Sequence, residues 1–186
     1  QSMLFANSAS SAFLAANTAV GYEALKGSST AANNTGAKNT ALGYQSMKNN
    51  TSGYENTAVG FLVLEDNTSG AFNVAFGSEA LKDNTTATAN SAFGYKALYS
   101  NTTGGSNTAT GFYASYNNTS GIRNTGFGFG TLYTNTTGSK NSAIGYQALY
   151  RNTEGMNNTA NGYEALYNNT TGSNNTGIGS DTLKTN

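Results

Sequence analysis

No cysteine, proline, histidine or tryptophan occurs in the 186-residue chain, and each absence closes off a class of structure or chemistry. Without cysteine there is neither a disulfide framework nor a thiolate metal site. Without histidine, acid–base chemistry near neutral pH has only nine carboxylates, seven lysines and twelve tyrosines to draw on. The absence of proline suits a backbone that lends N–H groups to neighbours throughout. Nine basic residues balance nine acidic ones, and no basic cluster occurs. Charge therefore gives no reason to expect nucleic acid or a membrane surface as a partner. The apolar stretches are short and broken by Asn, Thr and Gly, and none approaches the ~20 residues of a spanning helix. The opening QSMLFANSAS lacks the charged region, apolar block and cleavage site of a secretory signal, so any export is expected to be directed from elsewhere in the protein.

Leu, Ile, Val and Phe supply only 28 of the 186 residues. Such scarcity favours disorder when net charge is high, but here the net charge is zero and the register is strict. Units such as NTAVGYEAL, NTALGYQSM, NSAFGYKAL and NSAIGYQAL open at Asn17, Asn39, Asn56, Asn73, Asn90, Asn107, Asn124, Asn141, Asn158 and Asn175. The first spacing is 22 residues and every later one is 17. A second Asn-Thr corner recurs at Asn50, Asn67, Asn84, Asn101, Asn118, Asn135, Asn152 and Asn169. A short fixed period whose single unit cannot bury a core predicts a solenoid, and seventeen residues are too few for paired helices. The expected fold is therefore all-β, a parallel β-solenoid (β-helix or β-roll) of about ten 17-residue coils. Each coil, with a contour of roughly 55 Å, would hold two or three short strands.

The opening Asn is position 1 of a unit, and each position then forms a column along the solenoid. Asn39, Asn56, Asn73, Asn90, Asn107, Asn124, Asn141, Asn158 and Asn175 are expected to form a structural ladder, side chain bonded to side chain. Position 3 is always Ala or Gly and position 5 always Gly. Residues two apart share a strand face, so this face, with Ala41, Gly43, Ala58, Gly60, Ala92, Gly94, Ala143 and Gly145, is expected to be a close-packing one that another backbone approaches. Positions 4 and 6, as in Val20 and Tyr22 or Phe127 and Phe129, are mostly large and apolar and read as the core face. Position 9 is Leu or Met except at Ser115 and reads as a second buried column, with Glu23, Gln45, Lys96, Gln147 and Glu164 pointing outward between them.

The division expected is a partial, irregular coil over residues 1–16 and a repetitive shaft over 17–186, cut from a longer chain because no capping repeat closes either end. The NTAxGYxAL units resemble the repeats of bacteriophage and prophage tail-fibre shafts, and are similar to the NSxAxG repeats of trimeric autotransporter adhesin heads. The resemblance covers Asn17–Asn186. It implies a parallel homotrimer whose chains meet on the Ala/Gly face, an extracellular or virion-surface location, and contact with a host receptor or glycan through another part of the protein. The 17-residue period departs from the shorter one of the adhesin heads.

Nothing in the sequence reads as catalytic, metal-binding or cofactor-binding, and no enzyme activity is expected. Glu23, Glu79, Glu164 and Asp181 share one column and read as a solvated face. GFGFG at 126–130 lacks the spacing of a phosphate loop. Tyr99, Tyr116, Tyr133, Tyr150 and Tyr167 form a stripe that reads first as a packed ladder under a neighbouring chain, and second as a platform for sugars or bases. Asn-x-Thr triplets starting at Asn101, Asn135 and Asn169 match the glycosylation pattern, but arise automatically from Asn-Thr corners. Two further roles are carried as alternatives: a head-to-tail extracellular filament, and an ice- or glycan-binding face built on Thr18, Thr40, Thr57, Thr108, Thr125, Thr159 and Thr176.

Overall fold

The computed structural model describes residues 16–185; the partial coil expected over residues 1–16 falls, save for Ala16, outside them. Ten three-residue strands follow one another: β1 (Thr18–Val20), β2 (Thr40–Leu42), β3 (Thr57–Val59), β4 (Val74–Phe76), β5 (Ser91–Phe93), β6 (Thr108–Thr110), β7 (Thr125–Phe127), β8 (Ser142–Ile144), β9 (Thr159–Asn161) and β10 (Thr176–Ile178). They form one sheet in sequence order, every pair parallel. Register is kept throughout, Thr40 opposite Thr57 and Ala41 opposite Ala58. The chain is thus an all-β parallel solenoid with 17-residue coils. Eight such turns separate β2 from β10. The first turn is longer, and a 3-10 helix at Ala31–Asn33 lies within it.

Each coil has one regular strand rather than two or three. The remaining sides are built from turns, and the unit that opens at Asn73 shows how. Gly77 leaves the sheet at φ 119°. Then Ala80 N–H donates to the Gly77 carbonyl at 3.2 Å and Asn84 N–H to the Leu81 carbonyl at 3.1 Å. Glu79, Leu81 and Ala89, at positions 7, 9 and 17, hold φ of 59°, 51° and 60°, a region that costs an L-residue about 1–2 kcal/mol. The cost is offset at position 9, where Leu81 is completely buried and burial of a leucine contributes about 1.5–3 kcal/mol. Between coils the turn backbone bonds in alternating directions. Glu79 N–H donates back to Phe61 O at 2.8 Å, and Leu81 N–H donates forward to Ala97 O at 3.0 Å.

The interior is filled by positions 1, 3, 8, 9, 12 and 15. Ala41, Ala58, Ala92 and Ala143 of position 3 are wholly buried against the position-8 residues and the leucines of position 9. This corrects two expectations. The Ala column is not an outer face on which separate chains could meet; it lines the inside of its own coil. Positions 4 and 6 are not core, because Val20, Tyr22, Phe127 and Phe129 are 56%, 56%, 44% and 42% exposed. The physical reason is width. A 17-residue coil is wide enough for Leu opposite Ala but not for Phe or Tyr, and the large rings are left outside. The close approach that the glycines signalled is made by the same chain one coil further on: a Cβ on Gly43 would overlap the Gly60 carbonyl oxygen, and one on Gly60, Gly94 or Gly145 would meet the next position-5 glycine.

Two side-chain ladders bind the coils. In the position-1 ladder, Asn56 Nδ2 donates to Asn39 Oδ1 at 3.1 Å and Asn73 Nδ2 to Asn56 Oδ1 at 3.0 Å. Asn90, Asn141, Asn158 and Asn175 continue it with the same contact. Asn107 and Asn124 connect instead through backbone N–H donated to the preceding Oδ1. In the position-12 ladder, Asn67 Nδ2 donates to Asn50 Oδ1 at 2.7 Å, and the contact repeats through Asn169. Amide stacks in register satisfy polar groups that burial would otherwise leave costly.

Candidate functional site: an exposed apolar face and a tyrosine ladder

The strand and the turn after it set the outer surface. Side chains at positions 2 and 4 point out of the sheet because position 3 points in, and Gly at position 5 carries the chain around so that position 6 stands beside position 4. Fourteen of the nineteen exposed large apolar side chains among the described residues lie at positions 4 and 6. At position 6 the rings stack coil on coil. Tyr22, Tyr44 and Phe61 stand 5.3 and 5.4 Å apart, and Tyr95, Phe112, Phe129, Tyr146 and Tyr163 follow at 5.0 to 5.6 Å. Ser78 and Ser180 interrupt this column. At position 4, Phe76 stacks on Phe93 at 5.5 Å. The result is an apolar stripe that runs along the coils, broken at position 4 by Thr110 and Asn161, which reading these positions as core had concealed. The signal that could have found it is the coil length itself, set against the volume of two aromatic columns.

Around the corner, position 10 carries the second feature. Tyr99, Tyr116, Tyr133, Tyr150 and Tyr167 stack at 5.2, 5.3, 5.0 and 5.2 Å, with planes within 13° of parallel. These rings are half-buried. Lys96 and Lys82 lie over the Tyr99 ring at 5.1 and 5.7 Å, Arg151 over Tyr167 at 5.6 Å, and Tyr113 meets Tyr116 edge-on at 5.1 Å. Burial raises the Tyr116 and Tyr150 phenols above their ordinary range. Because each ring already presents its face to the next, the stripe has no free faces within the column on which a sugar or base could stack.

Where position 10 is not tyrosine, charge replaces it. Lys48 and Lys26 meet Glu23 at 3.4 and 2.7 Å, Lys82 meets Glu65 at 3.4 Å, and Lys184 pairs with Glu164. Of the acidic column, Glu23, Glu79 and Glu164 are thus half-buried and ion-paired, Glu79 with Lys96 at 3.6 Å, while Asp181 is exposed and pairs with Lys184 at 2.8 Å. Hydrogen bonds from Lys26 first, then Gln45, pull the Glu23 carboxyl down to about 2. Among the described residues no group of three acidic side chains is placed to hold a metal ion, and no helix is long and apolar enough to cross a membrane.

The Asn-Thr corners are structural. Asn101, Asn135 and Asn169 are buried, and each Nδ2 donates both to the preceding ladder asparagine and to the glycine carbonyl three residues on; a glycan there is incompatible with the fold. From Thr51 through Thr153 the threonine after the corner donates its hydroxyl to the carbonyl of the next copy, Thr102 to Thr119 at 3.1 Å for example. The position-2 threonines of the strands stand beside the bulky position-4 column. Comparison of the chain with known protein families, with curated proteins and with solved structures finds no match.

Proposed function

We propose that the chain is a length of structural fibre shaft whose copies associate side by side in parallel through the stripe at positions 4 and 6. The observation that carries this reading is the stripe itself: an exposed apolar surface in strict register with the coil repeat. A single rod leaves it in water, whereas large contiguous apolar patches mark interaction sites. Nine inter-strand steps give it a length of roughly 43 Å, and positions 2 to 6 span about 13 Å. The footprint is on the order of 600 Å², close to the ~800 Å² per partner of a stable interface. A second copy is the partner that matches best, because only an equal repeat keeps rings and gaps in step along the whole length.

On the resemblance of the repeats to phage tail-fibre shafts and trimeric adhesin heads, we take three as the copy number and the virion surface or cell exterior as the place. In this reading the shaft supplies length and stiffness, and recognition of a host receptor or glycan lies in another part of the protein; no catalytic step and no cofactor is involved. Sedimentation across a range of concentrations tests it. A mass three times that of the chain, unchanged on dilution, supports the trimeric shaft. Replacing Phe112, Phe129 and Tyr146 by serine, which position 6 already accepts at Ser78, should then give folded single chains. A wild-type chain that stays monomeric overturns the reading, and a mass growing with concentration indicates an open filament instead.

A further inference from the structure

We propose that the position-10 tyrosines are a built-in oxidative cross-linking site, at which neighbouring coils of one chain are joined by dityrosine bonds. Five consecutive coils place Tyr99, Tyr116, Tyr133, Tyr150 and Tyr167 in one unbroken stack, with centroids 5.0 to 5.3 Å apart and planes nearly parallel. Near-parallel rings related by the coil repeat keep one orientation, so the ring carbons beside the hydroxyls recur along the column at about the centroid spacing. The chain has no cysteine, and among the described residues this stack is the longest run of side chains prearranged for a covalent link between coils. Position 6 offers shorter runs only, because phenylalanine interrupts it at Phe61, Phe112 and Phe129.

The chemistry requires a one-electron oxidant, for which the class is hydrogen peroxide acting through a haem peroxidase. Each of two phenols gives up one electron and one proton. The two radicals, whose unpaired spin lies partly on the carbons beside the oxygen, form one carbon–carbon bond as the side chains swing together. Each ring then loses the hydrogen at the new bond and regains its phenol proton. The two electrons and two protons removed convert one peroxide to two waters. Half-burial does not isolate the column: an oxidising equivalent that enters at any exposed edge passes between adjacent rings until two radicals meet. The link is made within one chain, so it does not depend on whether copies associate.

The test treats the whole folded chain, at low concentration, with peroxide and peroxidase. The band of single-chain mass is then recovered from a denaturing gel and digested after lysine and arginine. The diagnostic product joins peptide 124–140, which contains Tyr133 as its one tyrosine, to peptide 141–151, which contains Tyr150. The wild type should give this product, the urea-unfolded chain at least tenfold less, and Tyr150→Phe, which keeps a stackable ring, at least tenfold less. Absence of the product from the folded wild type, equal yield from the unfolded chain, or persistence in Tyr150→Phe through Tyr146 would each overturn the proposal. Circular dichroism of Tyr150→Phe confirms that the coil is intact, and Tyr163→Phe, outside the column, should leave the yield unchanged.

Discussion

Asn56 and Asn67 donate to the same acceptor, the Gly70 carbonyl, from opposite sides of one coil: Asn56 Nδ2 at 2.8 Å and Asn67 Nδ2 at 3.1 Å. Both asparagines also belong to the ladders, so each coil is closed across its interior by the groups that tie it to its neighbours. Local closure and long-range stacking are therefore one network, and a defect in either should be felt in both.

Asn67→Ala tests that coupling. It removes the donors to Asn50 Oδ1 and Gly70 O and the acceptor for Asn84 Nδ2, all in a buried site, and should cost about 3 kcal/mol. Asn67→Asp keeps the shape but offers only acceptors and a buried charge, and should cost at least as much. Urea unfolding of the two variants decides. A loss within 0.5 kcal/mol for both, roughly the scale of surface substitutions, would show that the ladders follow the fold rather than hold it.

Glycine is expected to help at the left-handed position 17. Lys140 holds φ of 59° and its side chain makes no hydrogen bond or ion pair among the described residues, so Lys140→Gly should stabilise the chain by about 1 kcal/mol. Gly43→Ala should do the reverse and disrupt the sheet locally, because its Cβ would overlap the Gly60 carbonyl. The two substitutions exchange the usual expectations for glycine, and thermal melting of both variants reads the difference.

These two positions also show where legibility ends. Gly43 and its column were readable as places of close approach, since nothing but glycine occurs there. The asparagine columns and the 17-residue register were readable for the same reason. Lys140 gave no signal: positions 7, 9 and 17 carry Glu, Gln, Leu, Lys, Ala and Arg at positive φ, where local preference alone would call for glycine. The strain is held by burial at position 9 and by bonds between coils, which no single unit displays. The same hidden turns make the coil narrow. Without that width, Phe127 and Phe129 read as core and Ala41 and Ala143 as an outer face, when the assignment is the opposite.

Ser115 marks a weak joint. It stands where the other coils have Leu or Met, its hydroxyl is buried without a partner, and the leucine–alanine core is divided there, one cluster ending at Ala114 and the next starting at Leu132. Gly126 and Thr131 sit beside it, a Cβ on Gly126 reaching within 3.4 Å of Ser115 Oγ. Ser115→Ala removes the unpaired group and should stabilise the chain by about 1 kcal/mol. Hydrogen exchange should show protection falling on both sides of this coil in the wild type and partly restored in the variant; unchanged protection and melting would sink the idea.

With no histidine, stability should be level between about pH 5 and pH 9, because no side chain of ordinary pKa titrates there. Below that range the Glu23 carboxyl decides the slope. Its folded value, held down first by the hydrogen bond from Lys26, is about 2 against an ordinary 4.5. An acid with a depressed folded pKa stabilises the fold above its unfolded value, and the contribution is lost as pH falls from about 4.5 to about 2. Asp181, lowered by its hydrogen bond with Lys184, acts in the same sense, whereas Asp83, raised by burial, acts against it. On the alkaline side, Tyr116 and Tyr150 are raised by burial, so stability falls once the unfolded tyrosines ionise near pH 10. Glu23→Gln should therefore leave the melting temperature at pH 3 closer to its pH 7 value than in the wild type. A melting curve series from pH 2 to pH 11 in both proteins checks this, and an equal acid slope in the two would remove Glu23 from the account.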